Sequence, residues 1–336
     1  MTERADATRE TRLLDAAIDA DVAEAVRLLR AGRLVAVPTE TVYGLAADAG
    51  NPAAVRAIFA AKGRPADHPL IVHLPGAAAM SRWARDIPPA AWTLAAAFWP
   101  GPLTLLLHRQ PDAPAEVAGG RATIGLRVPA HPVLRRILRA LDGGLAAPSA
   151  NPYQRLSPTT AAQALAGLDG RIDAVLDGGP CAVGLESTIV DLTGAVPRIV
   201  RAGPITRAQL EAALGRPVEF PRTHAVPVSG NMAVHYRPQT PLRVMDAAAM
   251  RRRIAALAPG TRIALAYLDP TLPADAPGIV AAIRMPHDKP GYARELYGTL
   301  HALDALGADA IWLERPPQDE AWGDVHDRLA KAGSAD

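Results

Sequence analysis

Thr41, Lys62, Arg64, Thr123, Arg127, Ser149, Asn151, Ser157, Ser187 and Arg201 place cations and short polar groups where predicted strands end or turns begin. Arginine forks hold carboxylates and phosphates in bidentate fashion, and hydroxyls satisfy the oxygen lone pairs left over. Such a set suits nucleotidyl transfer, in which positioning and charge neutralisation carry most of the chemistry. Common alternatives are missing from the sequence. It has no GxxxxGK[ST] or GxGxxG phosphate loop, no HExxH or Cys/His metal cluster and no GxSxG elbow. Taken singly, these residues have plainer readings too. Lys62 and Arg64 fit a solvated helix end, His73 a satisfied core histidine, and Ser149 with Asn151 an ordinary turn.

The elements that must position these groups centre on residues 36–74. A short apolar strand at 34–37 runs into Pro38, Thr39, Glu40, Thr41, Val42, Tyr43 and Gly44. A helix follows, with Asn51 as N-cap, Pro52 in its first position and Gly63 just past its end. Val55, Ile58 and Phe59 share one face of it. Lys62 and Arg64 therefore sit at a helix exit, and a strand at 69–74 puts Ile71 and His73 on one side. The spacing predicts a third strand at 122–128, with Thr123, Gly125 and Arg127 on one face; Gly125 would leave room for a ligand against the backbone.

Further helices are predicted at 21–31, 77–85, 88–98, 131–141, 157–168 and 206–214, and strands at 103–108, 145–148, 174–177, 186–191 and 198–201. Residues 1–12 read as a loose tail and 110–121 as a Pro/Gly-rich loop. At 336 residues, with 49% hydrophobic and 4% aromatic side chains, the chain should form two domains with mainly aliphatic cores. We expect an α/β domain over 13–215, a proline-rich linker over 216–241 and a small α/β domain over 242–336. The last alternates strands (242–245, 262–267, 279–284, 310–314) with helices (247–257, 292–306, 320–332), which favours a Rossmann-like parallel sheet. A net charge of +2 argues against a general polyanion binder. A lone cysteine, Cys181, and the absence of an apolar leader or uninterrupted apolar span fit a cytoplasmic protein without membrane segments.

The motifs PTETVYGL (38–45), KGRP (62–65) and HPLIVH (68–73), in this order and spacing, resemble the YrdC-domain family of threonylcarbamoyl-AMP synthases. The resemblance extends through TIGLRVP (123–129), PSAN (148–151), SPT (157–159), ESTIVD (186–191), IVRAGP (199–204) and HYRP (235–238), and so covers most of the chain. It implies a twisted mixed sheet flanked by helices around a concave basic cavity. The implied reaction joins L-threonine, bicarbonate and ATP, with Mg²⁺, into threonylcarbamoyl-AMP and pyrophosphate, the first step of threonylcarbamoyladenosine formation in tRNA. Downstream threonylcarbamoyl-transfer proteins would use the product. By resemblance, Thr41, His73, Arg127, the Ala147 backbone and Ser187 form the threonine site. Lys62, Arg64, His68, Thr123, Ser149, Asn151, Ser157, Arg201 and Tyr236 form the ATP site, Tyr236 folding over the nucleotide from the linker. Lys62, Arg64 and Arg127 would be the catalytic cations, and no protein metal ligand is implied. His68 stands where relatives often carry asparagine, and the ending DEAWGDVHDRLAKAG (319–333) resembles the family's only loosely. Two other readings remain at this point. One is a regulatory module with weak RNA binding; the other is the YrdC-like part of a carbamoyltransferase of hydrogenase maturation, although the acylphosphatase-like and zinc-finger regions of that class are missing.

Overall fold

The computed structural model describes residues 10–221, 228 and 236–333. The chain divides into two compact units. The first comprises Met1–Tyr153, Pro158–Ala182 and Glu186–Ser229; the second comprises Gln154–Ser157, Val183–Leu185 and Gly230–Asp336.

The first unit contains strands β1 (Arg12–Asp15), β2 (Val35–Val37), β3 (Gly44–Asp48), β4 (Ile71–His73), β5 (Ala84–Arg85), β6 (Leu103–Arg109), β7 (Thr123–Arg127), β8 (Leu145–Ala146), β9 (Ala174–Asp177), β10 (Thr188–Asp191) and β11 (Arg198–Arg201). Its helices are α1 (Asp19–Arg30), α2 (Pro52–Lys62), α3 (Pro89–Phe98), α4 (Pro132–Leu141), α5 (Ala161–Leu168) and α6 (Arg207–Leu214). The strands join in one mixed sheet in the order β1-β9-β2-β3-β8-β4-β7-β6-β10-β11, with β5 paired to β6.

Period-two alternation divides each strand between the two faces. On one face α2, α3, α5 and α6 pack over residues such as Ala36, Val72, Leu126 and Ala146. On the other, α1 and α4 cover Val35, Val37, Leu145 and Leu176. His73 pairs with Leu145 on β8 and with Arg127 on β7, so both polar side chains continue this second face beyond its helical cover. Gly125 pairs with Leu106, and Thr104 pairs with Ile189, which carries the same face across β6 and β10. A polar stretch of sheet surface therefore adjoins an aliphatic core.

Helix α2 forms as the sequence predicts. The Asn51 side chain accepts from the amides of Ala53 (3.0 Å) and Ala54 (3.3 Å), and Gly63 takes the left-handed conformation at φ +65°. Elsewhere the structure corrects the sequence reading. Residues 45–48, for which the sequence pattern predicts no element, belong to β3. Strand β1 begins inside the expected tail, at Arg12. Residues 77–85 form a 3-10 turn at Ala77–Arg82, because Ala84 and Arg85 are drawn into pairing with β6. The helix expected from Ser157 starts at Ala161, where Thr160 and Gln163 close a capping box. The loop at 110–121 contains a 3-10 turn at Ala115–Ala118.

The second unit holds a four-stranded, wholly parallel sheet of β12 (Leu242–Met245), β13 (Ile263–Tyr267), β14 (Ile279–Arg284) and β15 (Ala310–Glu314), in the order β12-β15-β13-β14. Helices α7 (Ala247–Ala255), α8 (Lys289–Asp304) and α9 (Gly323–Ala332) accompany it, the last preceded by a 3-10 turn at Glu320–Trp322. The parallel α/β arrangement is the one expected. No helix among the described residues is long and apolar enough to cross a membrane.

Gly203 locks the end of β11 against the start of β10. A Cβ added there would lie 2.2 Å from the Thr188 amide nitrogen and 2.6 Å from the Ser187 carbonyl carbon, both backbone atoms. Gly203→Ala should therefore lower stability by about 1–3 kcal/mol in urea unfolding, the scale of forced overpacking. Asn51→Ala should cost about 1 kcal/mol through loss of the cap.

Candidate active site

Arg127 is the centre of the first polar cluster. It is 3% exposed on β7, and each of its nitrogens faces an oxygen. Nε donates to the Gly101 carbonyl (3.2 Å), one terminal nitrogen donates to Thr41 Oγ1 (3.0 Å), and the other lies 2.7 Å from Glu40 Oε1. Thr39 ties the 39–42 turn together, its hydroxyl 2.8 Å from that of Thr41 and donating to the Val42 carbonyl at 2.6 Å. Glu40 is 7% exposed. Burial opposes its ionisation, but the adjoining Arg127 guanidinium overcomes this and holds the carboxyl below its ordinary range. His73 is buried beside Arg127. Burial, with a smaller contribution from the guanidinium, lowers its pKa to about 3, so the ring is neutral at pH 7.

Ser187 anchors a second group. Its hydroxyl is 2.8 Å from that of Thr104, and Arg201 donates to both its Oγ (3.0 Å) and its carbonyl (3.0 Å). Ser187 and Arg201, assigned by resemblance to different subsites, thus touch directly. The apolar side chains Leu106, Ile189, Val200 and Val228 pack together beside them, with Ile71 against the group. Space above Gly125 is narrower than the sequence suggested. A Cβ there would meet Thr104 Cγ2 at 3.3 Å and Ile71 Cγ1 at 3.4 Å, so the glycine lets a flanking methyl and methylene close in.

Lys62 organises the third group. Its ammonium donates to the carbonyls of Ser149 (2.6 Å) and Asn151. Burial first, and Arg64 second, depress its pKa well below the usual lysine range. Arg64 donates to the Pro69 carbonyl (3.0 Å), which links the helix exit to the segment leading into β4. His68 lies edge-on to Tyr153, with ring centroids 5.6 Å apart, and burial followed by the Arg64 charge lowers its pKa. The Tyr153 amide in turn donates to the Lys62 carbonyl (2.8 Å). The 149–151 turn is pinned to the segment following Thr41: Leu45 N donates to Pro148 O (2.6 Å), Ala150 N to Tyr43 O (2.8 Å), and Gly44 bridges Ser149. The Ala147 amide donates to Ile71 O (3.2 Å), and Thr123 lies half-buried two residues before Gly125 on β7. The turn that carries Thr41 and the turn that holds Lys62 are thereby one connected backbone structure.

Ser157 and Tyr236 belong to the second unit. The Ser157 carbonyl is 3.2 Å from His301 Nε2. Tyr236 is 1% exposed, its ring 5.8 Å from Tyr297 and 5.2 Å from the Arg328 guanidinium carbon. His235 of the HYRP motif lies outside the described residues. Sequence reasoning gave no role to Glu40, Thr39 or Thr104. Glu40 lies inside PTETVYGL (38–45), and Thr104 is the one hydroxyl in the apolar run LTLLL (103–107).

Buried cations held by carbonyls and hydroxyls are of the kind that can take a carboxylate or phosphates. Residues 27–203 match a family described as "Telomere recombination" (Sua5/YciO/YrdC), and residues 205–334 match the "Threonylcarbamoyl-AMP synthase, C-terminal domain". The threonylcarbamoyl-AMP synthase of Pyrococcus abyssi is 34% identical over 92% of both chains. That of Bacillus subtilis is 42% identical over 68% of this chain and 67% of its own. The crystal structure of P. abyssi Sua5 complexed with L-threonine superposes with a TM-score of 0.87 at 30% identity, covering 96% of this chain and 97% of that one. The chain belongs to the threonylcarbamoyl-AMP synthase family.

The depressed pKa of His73 has a defined consequence for stability. Unfolded, a histidine takes up its proton near pH 6.5; folded, His73 does so near 3. The unfolded state binds more protons between these values, so stability is full above about 6.5 and falls as pH drops. His73 alone should contribute a slope of up to about 1.4 kcal/mol per pH unit across that window. Urea unfolding of His73→Gln between pH 6 and 4 should show a shallower slope than wild type.

Proposed function

We propose that this chain is an L-threonylcarbamoyladenylate synthase, joining L-threonine, bicarbonate and ATP into threonylcarbamoyl-AMP and pyrophosphate for tRNA modification in the cytoplasm. The observation that supports this reading is that two cation clusters of a family member are tied through one turn: Arg127, with Thr41 and His73, and Lys62, with Arg64, are linked through the backbone of residues 147–151.

In this reading the threonine carboxylate is held by Arg127 and Thr41, beside His73, the Ala147 backbone and Ser187. The threonine amine and bicarbonate give an N-carboxylate and water. An oxygen of that carboxylate, already anionic, attacks the α-phosphorus; the α–β phosphoanhydride bond breaks and pyrophosphate leaves. The attacking group needs no strong protein base, which suits a site built from cations and hydroxyls. Lys62, Arg64 and Arg201 offset the triphosphate charge, with His68, Thr123, Ser149 and Asn151 completing the nucleotide contacts. Mg²⁺ fits such a site as an ion brought in on phosphate oxygens, since the nearby side chains suit the phosphates rather than the metal; it would neutralise their charge. We read residues 13–215 as the catalytic domain, 216–241 as the linker and 242–336 as the accessory domain, with downstream transferases consuming the adenylate. The matches to the synthase family in both parts of the chain favour this activity over an RNA-binding module or a hydrogenase-maturation carbamoyltransferase.

Mass spectrometry of products from ATP, bicarbonate and each amino acid in turn tests the reading. It requires threonylcarbamoyl-AMP to form with threonine, and threonine-independent release of AMP alone would contradict it. Arg127→Lys keeps the charge and loses the fork. It should raise the threonine KM by about tenfold or more and change the ATP KM by less than about twofold. Equal losses for both substrates would remove Arg127 from the threonine subsite.

A further inference from the structure

The Glu40 carboxylate is the one charged side chain of the Arg127 cluster that the proposed reaction leaves unused. It is buried, and it meets a guanidinium that is itself 3% exposed. Four titratable groups act on it or are acted on by it: Arg127, His73, His131 and Cys181. Burial keeps both imidazoles below their usual range and pushes the Cys181 thiol up to about 12, so all three are neutral near pH 7. The backbone amides of Glu40 and Ala130 add only partial charges. The cluster around Arg127 therefore holds one full cation and one full anion.

That cancellation matters because of what surrounds the amino-acid subsite in use. A buried, uncompensated arginine attracts any small anion, and this enzyme must work amid bicarbonate, pyrophosphate and the triphosphate of ATP. A guanidinium offers five N–H groups. Gly101, Thr41 and Glu40 face three of them; the other two are the donors assigned here to the ligand. With the net charge cancelled, selection passes from charge to the geometry of the remaining donors, which suits a planar carboxylate.

We propose that Glu40 is a specificity-determining residue: by cancelling the charge of Arg127 within the pocket, it lets the subsite take the threonine carboxylate through directed hydrogen bonds while rejecting phosphate-type anions. The inference rests on the assignment of Arg127 to the threonine carboxylate.

Glu40→Gln separates charge from shape, because the amide oxygen can still accept from Arg127 while the negative charge is gone. The measurement is threonine affinity by calorimetry on the full chain without ATP. Inorganic phosphate is varied at constant ionic strength, balanced with a bulky organic anion. In wild type, phosphate should shift the threonine Kd by less than about twofold; in Glu40→Gln it should compete and raise the apparent Kd by at least about fivefold. Glu40→Asp, which keeps the charge, should restore rejection. A merely structural role would weaken threonine binding without creating phosphate competition, and that result would overturn the proposal. So would a Glu40→Gln protein as indifferent to phosphate as wild type. Should Glu40→Gln fail to fold, wild type still decides, since phosphate displacing threonine from it would show that nothing is rejected. Absence of any threonine binding to wild type would instead defeat the functional reading, and this inference with it.

Discussion

A guanidinium buried on a sheet must have every nitrogen answered, and Arg127 sets the terms for the structure around it. Leaving one buried partner of such a pair unmatched costs about 3–5 kcal/mol. Its three oxygens come from far apart in sequence: Gly101 before β6, and Glu40 with Thr41 in the turn after β2. Gly101 is itself placed by its amide, which donates to the Val128 carbonyl at 2.9 Å. The 38–45 segment cannot move without unsettling the arginine. Because its far end is bonded to Pro148 and Ala150, the turn facing Lys62 is fixed by the same constraint.

Lys62 is the counterpart that the proposed function gives to the nucleotide. Two carbonyls satisfy two of its three donors, and both come from the PSAN turn. Burial first, and the neighbouring Arg64 charge second, disfavour its ammonium form; a bound polyanion would favour it. The Arg127 cluster is charge-balanced and the Lys62–Arg64 cluster is cation-rich; under the proposed function this difference would keep a small zwitterion and a triphosphate apart.

Much of this was legible in the sequence, for identifiable reasons. Asn51, Pro52 and Gly63 bracket α2 with local chemistry that tertiary contacts did not override, and the alternation at 123–127 placed Arg127 and Thr123 on one face. The β3 strand was invisible because GLAAD is buried almost throughout and built from small residues, with neither alternation nor β-branching to mark it. The late start of α5 reflects a choice between neighbouring caps that only the Gln163 contact decides. The Ser187–Arg201 contact, the Thr104 hydroxyl and the partnership of Glu40 with Arg127 depend on strand order, which no local pattern encodes. Cys181, by contrast, is buried as its type alone suggests.

The most direct test of the account is a crystal structure of the protein with L-threonine and a non-hydrolysable ATP analogue bound together. The account predicts the threonine carboxylate within hydrogen-bond distance of Arg127 and the phosphates against Lys62 and Arg64. The amine should then lie between them, facing the α-phosphorus. Threonine seated away from Arg127, or phosphates lying on the Arg127–Glu40 pair, would contradict it.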